Sequence, residues 1–255
     1  MNKQNKKKLD LASVRLDYEG FRELAKNKEL SQYEKIGFPD DYRKGYEQFI
    51  LNDIVGKLTN LGEDKKIVLD IGPGCSELPK FLIDMCEAKN HKLVFCDSEE
   101  MLSFHENKPF LFKVAGMFPK ILDQVCEVEP QYDVILCYSI FHYIFIDTNI
   151  WNFIDSCMKL LAPKGQLLIG DIPNISKRKR FFSSESGIKY HKEFMKTDNS
   201  PEVVYNIIEA EKIDDAVIMS VLMRAQIAGF DAYILPQNKN LPMYNRRDDI
   251  LIVRP

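Results

Sequence analysis

The chain has 255 residues, 45% of them hydrophobic and 29% charged, with a formal net charge of -3. That suits one large α/β domain, or one domain with a small cap, whose core needs no disulfides. The mild acidity argues against a general nucleic-acid binder, for which a basic domain is expected. Cys75, Cys86, Cys96, Cys126, Cys137 and Cys157 show no CxxC spacing. Most of them sit in apolar patterns, which reads as reduced core thiols of a cytoplasmic protein. Four histidines without a Cys/His cluster give no zinc signal, and no metal is expected.

Residues 1–8 are basic but lead into no apolar segment of the secretory type, so a solvated, frayed terminus is expected there. No apolar run reaches the roughly 18 residues that would cross a bilayer. Residues 9–40 are polar and mixed, which predicts short helices, and residues 1–41 read as an N-terminal arm and cap. Gly37-Phe38-Pro39-Asp40-Asp41 marks a turn and a helix start. Between Tyr42 and Asn60, the residues Tyr46, Phe49, Ile50, Ile54 and Leu58 recur at helical spacing.

The stretch from Val68 to Ser76 organises the chain around it. The apolar run Ile67-Val68-Leu69 ends in Asp70, Gly72 and Gly74 bracket one residue, and Leu78, Phe81, Leu82 and Met85 continue as a helix. The order is buried strand, tight glycine turn, helix. Glycine tolerates positive φ and lets a ligand approach the backbone, and the helix start offers free N–H groups. The loop therefore reads as a nucleotide-type cofactor loop, the plain alternative being an ordinary strand–turn–helix connection. A second strand, Lys92 to Cys96, ends at Asp97, 23 residues beyond Gly74. An acid at about that distance is what a ribose needs, because a carboxylate accepts from both hydroxyls. Ser98 then caps a helix, and Met101 sits one turn into it.

Phe110 to Val114 reads as a third strand, with Gly116 and Met117 at its end where an adenine would lie. Gln131 to Cys137 is a fourth strand running into Tyr138-Ser139-Ile140-Phe141-His142-Tyr143. A helix with Ile150, Phe153, Ile154, Cys157 and Leu161 follows, then a fifth strand, Gln166 to Gly170, ending in Asp171. Residues 175–213 break the alternation with charge and aromatics, about 39 residues where a connection of about 2–6 is typical, and read as a substrate lid. Asp214 to Ala228 is amphipathic, with Val217, Ile218, Val221, Leu222, Ala225 and Ala228 on one side, and Gly229 closes it. Phe230 to Leu235 and Asp249 to Val253 are separated by only 13 residues, which predicts an antiparallel pair at the sheet edge.

Taken together, Val68-Leu69-Asp70-Ile71-Gly72-Pro73-Gly74, Phe95-Cys96-Asp97, Asp133 to Cys137 and Leu160 to Leu167 resemble the class I S-adenosylmethionine-dependent methyltransferases, over about residues 42–255. The resemblance implies a Rossmann-like, doubly wound seven-stranded α/β sheet with an antiparallel last strand. It implies S-adenosylmethionine as cofactor and S-adenosylhomocysteine as product. Asp70, Gly72 and Gly74 would cradle the methionine part, and Asp97 with Ser98 the ribose side. Tyr138 and Ser139 would lie near the sulfonium, and Tyr42 and Arg43 would close over the cofactor. A nicotinamide dehydrogenase is disfavoured, because Glu77 stands where that fingerprint wants its third glycine and would repel a pyrophosphate.

His142 and Asp171 follow the fourth and fifth strands and are the candidate bases, since ligands bind beyond the carboxyl ends of such strands. The plain alternatives are a packing role for His142 and a capping role for Asp171. Ile36 to Asp40, Gly170 to Asn174 and Leu241 to Arg247 resemble small-molecule O-methyltransferases of bacterial capsule and surface-polysaccharide clusters. That implies a sugar, or a phosphoramidate on an activated nucleotide, as acceptor. Tyr143, Lys179, Arg180, Lys189, His191, Arg246 and Arg247 are the residues expected to bind it, the cations matching an anionic group. A nucleic-acid methyltransferase and a non-catalytic cofactor-binding subunit are the alternatives. Assembly as a homodimer, or with a partner methyltransferase, is left open.

Overall fold

A computed structural model describes residues 15–255, so the lysine-rich start lies outside the described residues. Four helices precede the sheet: α1 (Tyr18–Lys26), α2 (Gln32–Lys35), α3 (Asp40–Arg43) and α4 (Glu47–Lys57). Strands and helices then alternate as β1 (Ile67–Ile71), α5 (Leu78–Ala88), β2 (Lys92–Asp97), α6 (Glu99–Leu102), β3 (Leu111–Ala115), α7 (Leu122–Val128) and β4 (Tyr132–Tyr138). After β4 come α8 (Phe141–Asp147), α9 (Ile150–Leu160) and β5 (Leu161–Pro173). The chain finishes with α10 (Ile175–Phe182), α11 (Glu185–Met195), α12 (Asp215–Ile227), β6 (Asp231–Pro236) and β7 (Arg247–Val253). The seven strands form one sheet in the order β3-β2-β1-β4-β5-β7-β6, in which β7 runs antiparallel to both neighbours.

The continuous apolar runs of β1, β2 and β4 follow from burial on both faces, as a helix-covered parallel sheet requires. Val68, Val134, Leu136 and Leu168 pack toward α4 and α5 with Ile50, Ile54 and Leu82. Leu69, Ile135, Cys137 and Leu167 pack toward α9 and α12 with Phe153, Ile154, Ile218 and Val221. Helix starts follow local chemistry. Asn149 accepts from the N–H groups of Trp151 and Asn152, and Asp214 accepts from that of Val217. Because β2 leads away from β1 on one side and β4 on the other, a crevice opens at the carboxyl ends of β1 and β4.

Most element boundaries fall within a residue or two of the sequence reading, with instructive differences. The expected antiparallel pair lies at one edge of the sheet, with β6 outermost and β7 inside, between β5 and β6. The reason is side-chain chemistry: Ile250 and Ile252 are fully buried, whereas Tyr233 and Ile234 are exposed. On α12, Ile218, Val221, Leu222 and Ala225 are buried as the spacing predicts, but Ala228 lies past the helix and is exposed. Phe49, expected on the packed face of its helix, points to solvent. Residues 175–213 supply α10 and α11 and then an irregular stretch before α12. All six cysteines are free, and all but Cys126 are buried. No described helix is long and apolar enough to cross a membrane.

One irregularity shapes the site. In the β5–β7 ladder Ile169 pairs with Ile250 and Ile172 with Asp248, so Gly170 and Asp171 together oppose Asp249. This is a β-bulge. It keeps Ile172 on the same core face as Leu167 and Ile169, which strict alternation would forbid. Gly170 is required here, since a Cβ would lie 2.4 Å from the Tyr138 ring.

Phe153 is the test of the larger core. It is fully buried and edge-on to Phe118 at 5.5 Å. Phe153→Ala should cost about 3–5 kcal/mol, read as a lower urea midpoint with an unchanged slope. A midpoint equal to wild type would show that this cluster does not hold the fold.

Candidate functional site

The crevice is a cavity of about 1080 Å³ counted out to its mouth. Asp70 lines it from β1, Gly72 and Gly74 from the β1–α5 loop, Asp97 from the end of β2, Met101 from α6, and Gly116 and Met117 from just past β3. Tyr138, Ser139 and Ile140 complete the floor after β4. Gly72 and Gly74 have φ of +73° and +66°. A Cβ on them would come within 2.9 Å of Ile140 and 2.8 Å of Ile36, so both conformation and space exclude a side chain.

The loop is pinned by two side chains. The Asp97 carboxylate accepts from the N–H of Gly74 at 3.0 Å and from the N–H of Ser98 at 2.7 Å. A ring nitrogen of His105 meets the Gly74 carbonyl at 2.7 Å. Burial pushes the Asp97 carboxyl up to about 6, against the pull of those two N–H groups. Asp70 is pushed up further, by burial first and then by the charge of Asp97.

The N-terminal helices roof this cavity with Tyr18, Phe21, Ile36, Phe38 and Arg43. Helix α1 starts where Asp17 accepts from the N–H of Gly20. Its Arg22 forks onto Glu100 of α6, at 2.9 Å for each contact, and holds that carboxyl down at about 2. Phe21 meets Tyr143 of α8 edge to face at 4.8 Å.

A second, smaller cavity shares the Phe38, Arg43 and Tyr138 wall and adds Tyr42, Asp171, Leu241, Met243 and Arg247. Ser139, itself in the left-handed region with φ of 62°, bridges the two. Its hydroxyl donates to Asp171 Oδ2 at 2.5 Å and accepts from Arg43 Nη1 at 3.1 Å. Arg43 is 6% exposed and lies between the rings of Phe38 and Tyr138, and its Nε has no hydrogen-bond partner among the described residues. Arg247 Nε stands 3.6 Å from Asp171 Oδ1.

Of the residues singled out from sequence, Asp70, Gly72, Gly74, Asp97, Met101, Gly116, Met117, Tyr138, Ser139, Arg43 and Tyr143 line the first cavity. Tyr42, Arg43, Tyr138, Asp171 and Arg247 line the second. The remainder are not brought into either. Ser98 is buried as the cap of α6. Lys179 pairs with Glu209, Arg180 with Asp215, and Lys189 with Glu193. His191 packs edge-on against Phe182 at 6.1 Å, and Arg246 lies over the Phe182 and Tyr190 rings. His142 lies against Tyr143, its Nδ1 buried without a hydrogen-bond partner among the described residues, and burial followed by the Arg247 charge lowers its pKa to about 3.

Tyr18, Phe21, Ile36 and Phe38 escaped the sequence reading. The available signal was local: Asp17 as a cap, with Phe21, Leu24 and Ala25 at helical spacing behind it. Among the described residues, no group of three His, Cys, Asp or Glu side chains could hold a metal ion.

The imidazole of His142 gives a pH test. Its pKa falls from 6.5 to about 3 on folding, so between those values the unfolded chain holds the proton and the folded chain does not. Stability should therefore drop as pH falls below 6.5. His142→Asn should flatten that drop, read as the melting temperature from about pH 7 down to about pH 4. An unchanged acid-side slope would mean that the imidazole is not held neutral.

No protein-family model matches the sequence, and no curated protein matches it either. Solved structures do match. The N-methyltransferase NodS from Bradyrhizobium japonicum, in complex with S-adenosylhomocysteine, aligns with a TM-score of 0.54 and 12% identity over 93% of this chain and 98% of its own. The plantazolicin methyltransferase BamL, in complex with a desmethylPZN analogue and the same product, gives 0.57 and 13% over 92% and 97%. The CurJ carbon methyltransferase gives 0.54 and 17% over 84% of this chain and 56% of that one. What these likenesses establish is architecture: the chain has the Rossmann-like, seven-stranded methyltransferase fold.

Proposed function

We propose that the protein is an S-adenosylmethionine-dependent methyltransferase acting on a small polar acceptor. The observation that carries this reading is the pair of cavities meeting at Tyr138, Ser139 and Arg43. One is floored by a glycine loop and an acid at ribose distance, and the other is faced by Asp171. The known structures with this fold include two bound to S-adenosylhomocysteine.

The residues present fit such a cofactor. Gly72 and Gly74, in left-handed turns, set the loop backbone in the cavity wall, and Asp97 lines the cavity with a carboxylate that has acceptor capacity beyond its two backbone bonds. Asp70 and the loop would hold the methionine part, Asp97 the ribose, and Met101, Gly116 and Met117 the adenine. When bound, the cofactor supplies a sulfonium methyl that is already electrophilic, leaving binding, orientation, water exclusion and the proton to the protein. In this reading Asp171 takes the proton of the acceptor. It lines the second cavity, its Oδ2 is held by Ser139, and its Oδ1 has only the longer contacts to Gln237 and Arg247, at 3.4 and 3.6 Å. His142 lines neither cavity, which leaves it no part in this step. Arg43 and Arg247 suit an acceptor with an anionic group. A hydroxyl on a sugar, or a phosphoramidate on an activated nucleotide as in capsule modification, is the acceptor class we propose. Residues 175–213 would act as its lid, since α10 reaches the second cavity's wall through Lys177, which donates to the Arg247 carbonyl at 2.6 Å.

Calorimetry should give micromolar binding of S-adenosylhomocysteine. Binding of a nicotinamide dinucleotide in its place would refute the cofactor assignment. Because an ionised Asp97 accepts from both ribose hydroxyls, affinity should fall as pH drops through about 6. Asp97→Asn should bind more weakly at neutral pH and show no such step, and an unaltered pH profile in that variant removes the ribose role. For the chemistry, release of S-adenosylhomocysteine is followed with a panel of nucleotide-activated sugars and phosphoramidates, with RNA and small amines alongside. Asp171→Asn should lower kcat by about 10²-fold or more while leaving cofactor affinity near wild type. Silence with every acceptor would favour a non-catalytic binding subunit, and turnover on RNA alone a nucleic-acid methyltransferase.

A further inference from the structure

We propose that Asp249, with Arg247, is a positioning residue that clamps the bulged backbone of Asp171 so that the Asp171 carboxylate faces the second cavity. This rests on the role of Asp171 given above. Asp171 is a non-glycine residue with φ of +57°, a conformation unfavourable for an L-residue, though less so for Asp than for most. As one of two residues opposing Asp249, it sits where the regular strand ladder is interrupted. Two side chains of β7 take over. Asp249 Oδ1 accepts from the Asp171 N–H at 2.8 Å, and Arg247 Nη1 donates to the Asp171 carbonyl at 3.2 Å. Residues 247 and 249 project from the same face of their strand, so one strand grips both backbone groups of one residue.

The clamp is itself fixed from behind. Asp249 is fully buried, yet both its oxygens are engaged. Lys57 of α4 donates to Oδ2 at 2.6 Å, and Gln237, just past β6, donates to Oδ1 at 3.1 Å. Lys57 also donates to Asp53 at 2.5 Å, which leaves the ammonium bridging two carboxylates. A buried ion pair of this kind is a poor source of stability, since well-packed apolar side chains of similar volume usually do as well. A strand interior between Asp248 and Ile250 could have carried an apolar residue. What an apolar side chain cannot do is accept the N–H of a bulged residue. The buried pair therefore serves the shape of the site.

Crystal structures of Asp249→Ala and of the Lys57→Met/Asp249→Asn double variant test the clamp directly. In the double variant the amide side chain at position 249 retains an oxygen for the Asp171 N–H. The thioether at position 57 removes the ammonium that would otherwise face the new amide. In Asp249→Ala the φ of Asp171 should turn negative and the contact of its carboxylate with Ser139 should be lost, while the double variant keeps both. An Asp171 still left-handed and still bonded to Ser139 in Asp249→Ala overturns the proposal. Should Asp249→Ala not fold, the double variant decides alone, since a clamp built on that oxygen must hold Asp171 there and a loss of its conformation refutes it. Turnover is then read with the acceptor giving the highest rate in the panel. Asp249→Ala should lower kcat about tenfold or more with the S-adenosylmethionine KM unchanged, and should add nothing in an Asp171→Asn background. An equal further loss in that background would overturn the positioning role. A wild-type kcat in Asp171→Asn itself would instead remove the proton-acceptor reading and leave the structural clamp standing.

Discussion

The bond from the Gly74 N–H to Asp97 is the constraint on which the first cavity depends. A parallel sheet delivers its strands to one edge, but beyond the Gly72 N–H, which donates to the Cys96 carbonyl at 2.8 Å, the ladder does not fix what the chain does after β1 turns away. The Asp97 carboxylate does, by taking the loop's N–H and the N–H of Ser98 at once. It thereby locks the end of β2, the start of α6 and the glycine turn into one rigid corner. His105 closes the same corner from the other side of Gly74. The cost is a carboxylate buried next to a second one, Asp70, and both are pushed toward their protonated forms. The two acids sit at the ends of adjacent strands because the β1–β2 register brings those ends together.

The two cavities are electrostatically unlike. The first has Asp70 and Asp97 in its floor, the second sets Arg247 beside Asp171, and Arg43 stands in the wall they share. Ser139 stands at the junction, accepting from a guanidinium and donating to a carboxylate. Arg43, sandwiched by two aromatic rings with its Nε unpartnered, reaches this position through cation–π contact as much as hydrogen bonding.

How much of this could be read from the sequence depends on the range of the interactions. The glycine loop and Asp97 were legible because strand, turn and helix follow one another within a few residues. The sheet and its reversed last strand were legible because the apolar runs and the short final connection leave few alternatives. The roof was not, since Tyr18 and Phe21 gain meaning only from contacts with α6 and α8 far along the chain. The cations of residues 175–213 looked like ligand contacts because they cluster locally. In the fold Lys179 and Arg180 find Glu209 and Asp215 beyond that cluster's own helix. Asp249 read as the first residue of a strand, because periodicity carries no sign of a bulge in the neighbouring one.

The roof has a kinetic consequence. Phe38, Tyr42 and Arg43 belong to α3 and the turn before it, yet they also wall the second cavity. With α1 latched to α6 by Arg22 and Glu100, the first cavity is covered and the second is complete. Lifting that roof to exchange the contents of the first dismantles the second. In the reading proposed above, a shared wall of this kind imposes an order of binding: what fills the first cavity enters first and leaves last, and what fills the second comes and goes while the roof is shut.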